Sequence, residues 1–229
     1  MNRCIINTED KETTEFLTEL GYECIPVIPS DRVSGPVSAH SDVLYRKLNK
    51  NTIMISGCQN RNLQLLKLWG YTVIKCDELS PGYTTESYLN FIINDSFIIR
   101  NHKTAIELDN SYITNKKIID VKQGYTSCST IQVTENAYIT DDENIYGTLI
   151  MYGIDCLKIK KGDIELCGYN YGFIGGASVK LKEDSILFFG NINDTTDKNN
   201  VIEFLNKYNI EAVFIEGKKL KDIGSALIL

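Results

Sequence analysis

The first chemistry this sequence offers is a thiol set among hydroxyls. Residues 122–133 read Lys-Gln-Gly-Tyr-Thr-Ser-Cys-Ser-Thr-Ile-Gln-Val, a Gly-Tyr turn and a small polar cluster that run into an alternating strand. Cys128 stands at the mouth of that strand, where a nucleophile is reachable yet backed by a sheet. The alternative is a small core residue, which most intracellular cysteines are. His40 and Asp42 place an imidazole and a carboxylate two positions apart, and Glu86 and Asp222 add further carboxylates. Gly175-Gly176 offers backbone that another segment can approach closely. Whether these residues meet depends on the elements that carry them.

Amphipathic helical patterns occur over residues 11–20, 60–68, 105–112, 143–151 and 198–207. Four of them run into related phrases: Leu-Gly-Tyr-Glu-Cys-Ile, Trp-Gly-Tyr-Thr-Val-Ile, Tyr-Gly-Ile-Asp-Cys-Leu and Tyr-Asn-Ile-Glu-Ala-Val. Gly or Asn after a helix supplies a left-handed cap, and the β-branched run that follows reads as a strand. The caps are Gly21, Gly70, Asn115, Gly153 and Asn209, which divide the chain into five similar units. Short Asn- or Asp-bearing links join strand pairs 43–47/52–56, 88–93/96–100, 130–133/137–140 and 179–182/185–189, which are hairpin signals. The unit is strand–strand–helix–strand. Unit one lacks its leading strand, whereas residues 226–228 form a strand with no partner after it. Pairing 226–228 beside 4–7 closes a ring and removes exposed sheet edges. The expectation is one α/β domain over residues 1–229.

Aligning the units on the residue that opens each second strand puts His40/Asp42, Glu86/Ser87, Cys128, Gly175-Gly176 and Asp222/Ser225 at one end of equivalent strands. In a ring those ends converge, which gathers a thiol, an imidazole and several carboxylates. Each residue also has a structural reading. His40 caps a strand, Asp42 bonds a turn, Asp222 bonds the backbone where the ring closes, and the glycines permit close approach. Cys24, Cys76 and Cys156 occupy equivalent apolar strands and read as core.

Composition excludes several classes. The chain has 229 residues, 43% hydrophobic and 24% charged, with a net charge of −6, which suits a globular domain with a sizeable core. No run approaches the ~18–20 apolar residues of a membrane helix, and residues 1–10 carry no signal-peptide pattern. Seven scattered cysteines without a Cys-x-x-Cys pair, and only two histidines, argue against a disulfide framework or a metal site and for a reducing, cytoplasmic setting. No cofactor is expected, and the oligomeric state stays open.

The five-unit pattern resembles the pentein superfamily, the five-bladed α/β-propeller shared by guanidino-group-modifying enzymes. Four segments resemble a largely uncharacterised bacterial branch of it: His40-Ser-Asp-Val-Leu-Tyr45, Lys122 to Thr130, Gly172-Phe-Ile-Gly-Gly-Ala177 and Leu220-Lys-Asp-Ile-Gly-Ser225. The resemblance covers nearly the whole chain. It implies five units around a pseudo-fivefold axis, and its enzymes carry a His-x-Asp motif and a cysteine shortly after glycine. His40-Ser-Asp42 and Gly124-Tyr-Thr-Ser-Cys128 look like both. On that basis Cys128 is the nucleophile and the most reactive thiol, its pKa lowered by a protonated His40. His40 is the general acid/base, and Asp42, Glu86 and Asp222, with Gly175 and Gly176, hold a guanidinium. Those enzymes place the cysteine in the last unit beside the histidine's unit, whereas here units four and two must meet across the axis. Two functions follow from the resemblance: a cysteine-dependent hydrolase or transferase of a small guanidino compound, or a non-catalytic protein that binds a partner or small molecule.

The acidic balance (sequence pI ≈ 5.1) and the lack of a basic stripe predict no appreciable nucleic-acid binding at physiological salt. Retention on DNA or RNA that falls steeply with added salt would overturn this expectation.

Overall fold

The five residues expected to stop the helices all adopt left-handed backbone: Gly21, Gly70, Asn115, Gly153 and Asn209 have φ of 84°, 87°, 67°, 73° and 55°. A computed structural model describes residues 2–77 and 86–229. Unit one comprises β1 (Asn2–Ile6), α1 (Lys11–Glu19) and β2 (Tyr22–Pro26). Unit two comprises α2 (Ser41–Leu44), β3 (Tyr45–Asn49), β4 (Thr52–Ile55), α3 (Asn60–Leu68) and β5 (Thr72–Lys75). Unit three has β6 (Ile92–Ile93), β7 (Phe97–Arg100), α4 (Asn110–Ile113) and β8 (Lys117–Asp120). Unit four has β9 (Thr130–Thr134), β10 (Ala137–Thr140), α5 (Glu143–Met151) and β11 (Asp155–Lys158). Unit five has β12 (Ser178–Lys182), β13 (Ser185–Phe188), α6 (Lys198–Lys207) and β14 (Glu211–Phe214), and β15 (Ala226–Ile228) ends the chain.

Each unit forms its own three-stranded sheet, with an antiparallel first pair and a parallel second pair that the helix crosses over. The pairing expected of the last strand is present. β15 lies antiparallel to β1 with Cys4 opposite Ile228, and β1 lies parallel to β2. The strands do not close into one continuous sheet, because neighbouring sheets meet through side chains instead of ladder hydrogen bonds. Lys47 Nζ donates to Ile228 O, and Lys180 Nζ to Val133 O, each at 3.0 Å.

The core follows the same plan. Five apolar clusters each join two sheets: units one and two around Ile5 and Ile53, two and three around Met54 and Phe91, three and four around Ile99 and Tyr138, four and five around Ile139 and Phe188, and five and one around Leu187 and Cys4. The middle strands β4, β10 and β13 are buried along their whole length, as expected of strands covered on both faces. Among the described residues no helix is long and apolar enough to cross a membrane.

Three local expectations fail for identifiable reasons. The strand expected over 88–93 is reduced to β6, because the chain ahead of it turns, with Asn90 N bonded to Ser87 O. The helix over 105–112 shrinks to α4, because Ile106 N donates to Tyr88 O and Ile106 O accepts from Arg100, which holds that backbone out of a helix. Asp109 then caps the short turn through Ser111 N. The strand expected from Val43 starts at Tyr45, because residues 41–44 form the helical turn α2, with Val43 N bonded to His40 O.

At Gly21, Gly70 and Gly153 an added Cβ would meet nothing within 4 Å, so a substitution there tests backbone conformation alone. Gly153→Ala should cost about 1–2 kcal/mol, the penalty for left-handed backbone, and Gly147→Ala, in a helix with equally open space, should cost nothing. Urea unfolding of both variants checks the contrast; equal midpoints would refute the capping role.

Candidate active site

A tight turn precedes each of the strands β3, β9 and β12. Besides α2, Ser129 N donates to Tyr125 O ahead of β9, and Ala177 N donates to Phe173 O ahead of β12. The turns are bonded to one another in sequence. Asp42 N donates to Gly224 O at 3.0 Å, Ser225 N to Gly176 O at 2.8 Å, and Gly176 N to Cys128 O at 3.0 Å. The side chain of Asn90 completes the circuit: its Oδ1 accepts from Ser127 N and Cys128 N at 2.8 and 3.0 Å, and its Nδ2 donates to Asp42 O at 3.0 Å. Glycine is required where these turns press together. A Cβ on Gly175 would strike Ser127 O, one on Gly176 would strike the Asp222 carboxylate, and one on Gly224 (φ +80°) would strike His40.

This packing brings Cys128, His40, Asp42 and Asp222 together. The Cys128 thiol donates to Asp42 Oδ2 at 2.8 Å and accepts from Asn90 Nδ2 at 2.8 Å. Asp42 Oδ1 is buried without a hydrogen-bond partner among the described residues. His40 Nδ1 lies 3.8 Å from Asp222 Oδ1, an electrostatic contact beyond hydrogen-bond length. Asp222 is fixed by Phe173 N on Oδ2 and Gly224 N on Oδ1. All four side chains are buried, Cys128 at 3% exposure and His40 at 2%.

Burial dominates the electrostatics. It pushes the Asp222 carboxyl up to about 6, with Asp42 adding to the rise and His40 and the two backbone N–H groups opposing it. It also raises the Cys128 thiol well above its ordinary value, helped by the negative charges of Asp42 and Asp222. The expected depression of this pKa is therefore corrected, since desolvation and two carboxylates outweigh the opposing hydrogen bond from Asn90. The most accessible thiol is Cys167, which is exposed.

Cys128, His40 and Asp222 line a cavity of about 410 Å³ whose walls include Tyr125, Tyr171 and Phe173, a volume typical of small-molecule sites. Phe173 lies 6.4 Å from the Tyr125 ring and 6.1 Å from Tyr171, the latter edge-on. Glu86 faces elsewhere: its carboxylate accepts from Ser34 N and Oγ and from Tyr125 OH. It thus anchors a wall residue without lining the cavity. Gly175 and Gly176 do not line the cavity; they pack against Ser127 O and the Asp222 carboxylate. Sequence reasoning missed Asn90, whose partners lie 37 and more residues away. It also missed Arg46, which donates to Ser127 Oγ, Leu89 O and Asp42 O. Asp141 escaped notice too. It is buried, has no hydrogen-bond partner for either oxygen among the described residues, and is pushed up to about 7, chiefly by burial.

Comparison with solved structures gives relatives of the same architecture at low identity. DDAH from Pseudomonas aeruginosa, complexed with citrulline, matches with a TM-score of 0.62 at 9% identity, covering 99% of this chain and 98% of that one. An amidinotransferase of the saxitoxin pathway from Microseira wollei matches at 0.55 and 10%, covering 89% and 74%. The inosamine-phosphate amidinotransferase of Streptomyces griseus matches at 0.54 and 11%, covering 96% and 80%. Curated protein sequences give no match. Residues 5–227 match a family of unknown function, DUF6873. The chain belongs to that family and has the fold of the pentein superfamily.

Proposed function

We propose that this protein is a cysteine-dependent hydrolase or transferase of a small guanidino compound, built as a single-domain, five-bladed propeller about a pseudo-fivefold axis. The observation that carries the proposal is the convergence of Cys128, His40 and Asp222 on one aromatic-walled cavity, with Asp42 at hydrogen-bond distance from the thiol. A guanidinium carbon is a weak electrophile, because three nitrogens donate into it. Attack becomes feasible when carboxylates hold the cation and an acid protonates the departing amine. Asp222 and Asp42 supply the negative charge, and the aromatic walls suit a flat cation.

Substrate charge also solves the ionisation problem. A cation beside Cys128 offsets the two carboxylates and lowers the thiol's pKa when it is needed. The thiol proton passes to a neighbouring base, sulfur bonds to the guanidinium carbon, and one C–N bond breaks as His40 protonates the amine. Water or an acceptor amine then displaces the sulfur, which distinguishes hydrolysis from transfer.

The neutral, buried thiol of the free protein favours a second reading, in which the pocket binds a small cation or a partner's cationic side chain without reacting.

Asp42→Asn removes a charge facing the sulfur. Cys128 alkylation by iodoacetamide near neutral pH should then rise, because one of the charges that hold the thiol protonated is gone; in the native protein Cys167 should be modified first. Mapping by mass spectrometry checks both, and an unchanged Cys128 rate would remove the charge argument.

A panel of arginine, agmatine and methylated or acylated guanidines should reveal a substrate whose turnover Cys128→Ala abolishes while its binding persists. Calorimetry should show that binding weakens as pH falls through about 6, where Asp222 takes up a proton and loses its charge. Binding without turnover in the native protein would select the second reading, and neither binding nor turnover would reject both.

A further inference from the structure

Outside the pocket, the closest pair of sulfur atoms lies in the sheet of the first unit. Cys4 on β1 and Cys24 on β2 are direct partners in the parallel register, and their Sγ atoms are 3.6 Å apart. Cys24 differs in surroundings from Cys156, which holds the equivalent place on β11, and from Cys76, which lies just past β5. Cys76 and Cys156 are buried, and burial lifts their thiols to about 11 and about 12. Cys24 is only partly buried; it accepts from the Cys4 thiol and donates to Thr14 O at 3.7 Å. The Cys4 bond in particular draws its pKa down to about 7. Cys4 is fully buried, and its own thiol is raised by the hydrogen bond to Cys24 and by burial. This arrangement pairs a partly exposed sulfur with a second, buried thiol behind it, the pattern of a reactive cysteine with a resolving partner.

We propose that Cys4 and Cys24 form a redox-active dithiol that is oxidised to a disulfide by hydroperoxides. The Cys24 thiolate attacks the terminal peroxide oxygen; an S–O bond forms, the O–O bond breaks, and the leaving oxygen takes a proton and departs as water or alcohol. Cys4 then attacks the Cys24 sulfur; the S–S bond forms, the S–O bond breaks, and the hydroxyl leaves with the Cys4 proton as water. Two thiols lose two electrons, and one hydroperoxide is reduced. The sulfurs must close from 3.6 Å to about 2.05 Å. In-register neighbours on adjacent strands can make that approach by side-chain rotation and a small shift of β2, which is the outer strand of its sheet.

The test is treatment of the native protein with hydrogen peroxide, followed by intact-mass measurement and peptide mapping. The expected result is loss of two hydrogen atoms, a linked peptide joining Cys4 to Cys24, and restoration by dithiothreitol. Cys4→Ala should leave Cys24 at the sulfenic acid, trapped by dimedone, and Cys24→Ala should leave Cys4 unmodified. A linked peptide in the native protein establishes the dithiol even if a variant fails to fold. Cys24 carried to the sulfinic acid with no linked peptide would overturn the proposal, as would peroxide consumption at exposed Cys167 with the pair still reduced.

Discussion

The site depends on the circuit of hydrogen bonds that binds the turns ahead of β3, β9, β12 and β15. Three of its links are backbone to backbone, and the gap between Asp42 and Cys128 is spanned by the carboxamide of Asn90. Each turn belongs to a different sheet, so no unit positions a functional side chain alone. Removing an amide from such a buried network leaves donors and acceptors without partners, which costs more than the bond itself contributes. Asn90 therefore sets where the thiol and the Asp42 carboxylate stand relative to each other.

The same burial that fixes the site loads it with charge. Asp222 keeps its proton to about 6, above the ordinary carboxylate value of about 3.9. The folded state thus binds this proton more tightly than the unfolded chain does. The contribution to stability is complete below the unfolded value and is lost as pH rises through about 6. Near neutral pH the protein carries an ionised carboxylate that destabilises the fold and offers a cation a reason to enter the pocket.

Much of the architecture was legible because it repeats. Helix stops at Gly21, Gly70, Asn115, Gly153 and Asn209 announce themselves through residues that tolerate positive φ, and β15 had only one edge to join. The repeat also placed His40, Asp42, Cys128 and Asp222 at the same end of equivalent strands. What stayed hidden were interactions without local pattern. Asn90 reads as part of the strand over 88–93, Glu86 as another carboxylate of the site, and Ile106 as part of a helix until Tyr88 O is known to hold its N–H. The ionisation state of Cys128 was hidden as well, because it depends on how deeply the turns bury it.

The pairing of β1 with β15 has a thermodynamic consequence. In every other sheet the paired strands lie close together along the chain, whereas Cys4 meets Ile228. Loop-closure entropy rises with the logarithm of separation, by about 0.6 kcal/mol for each doubling. The sheet of the first unit thus closes the longest loop in the molecule with only three residue pairs between β1 and β15. Asp222 and Gly224 lie just ahead of β15, against His40. Opening that seam releases the most chain freedom for the loss of only three ladder pairs, and it dismantles the pocket before the other four sheets need separate.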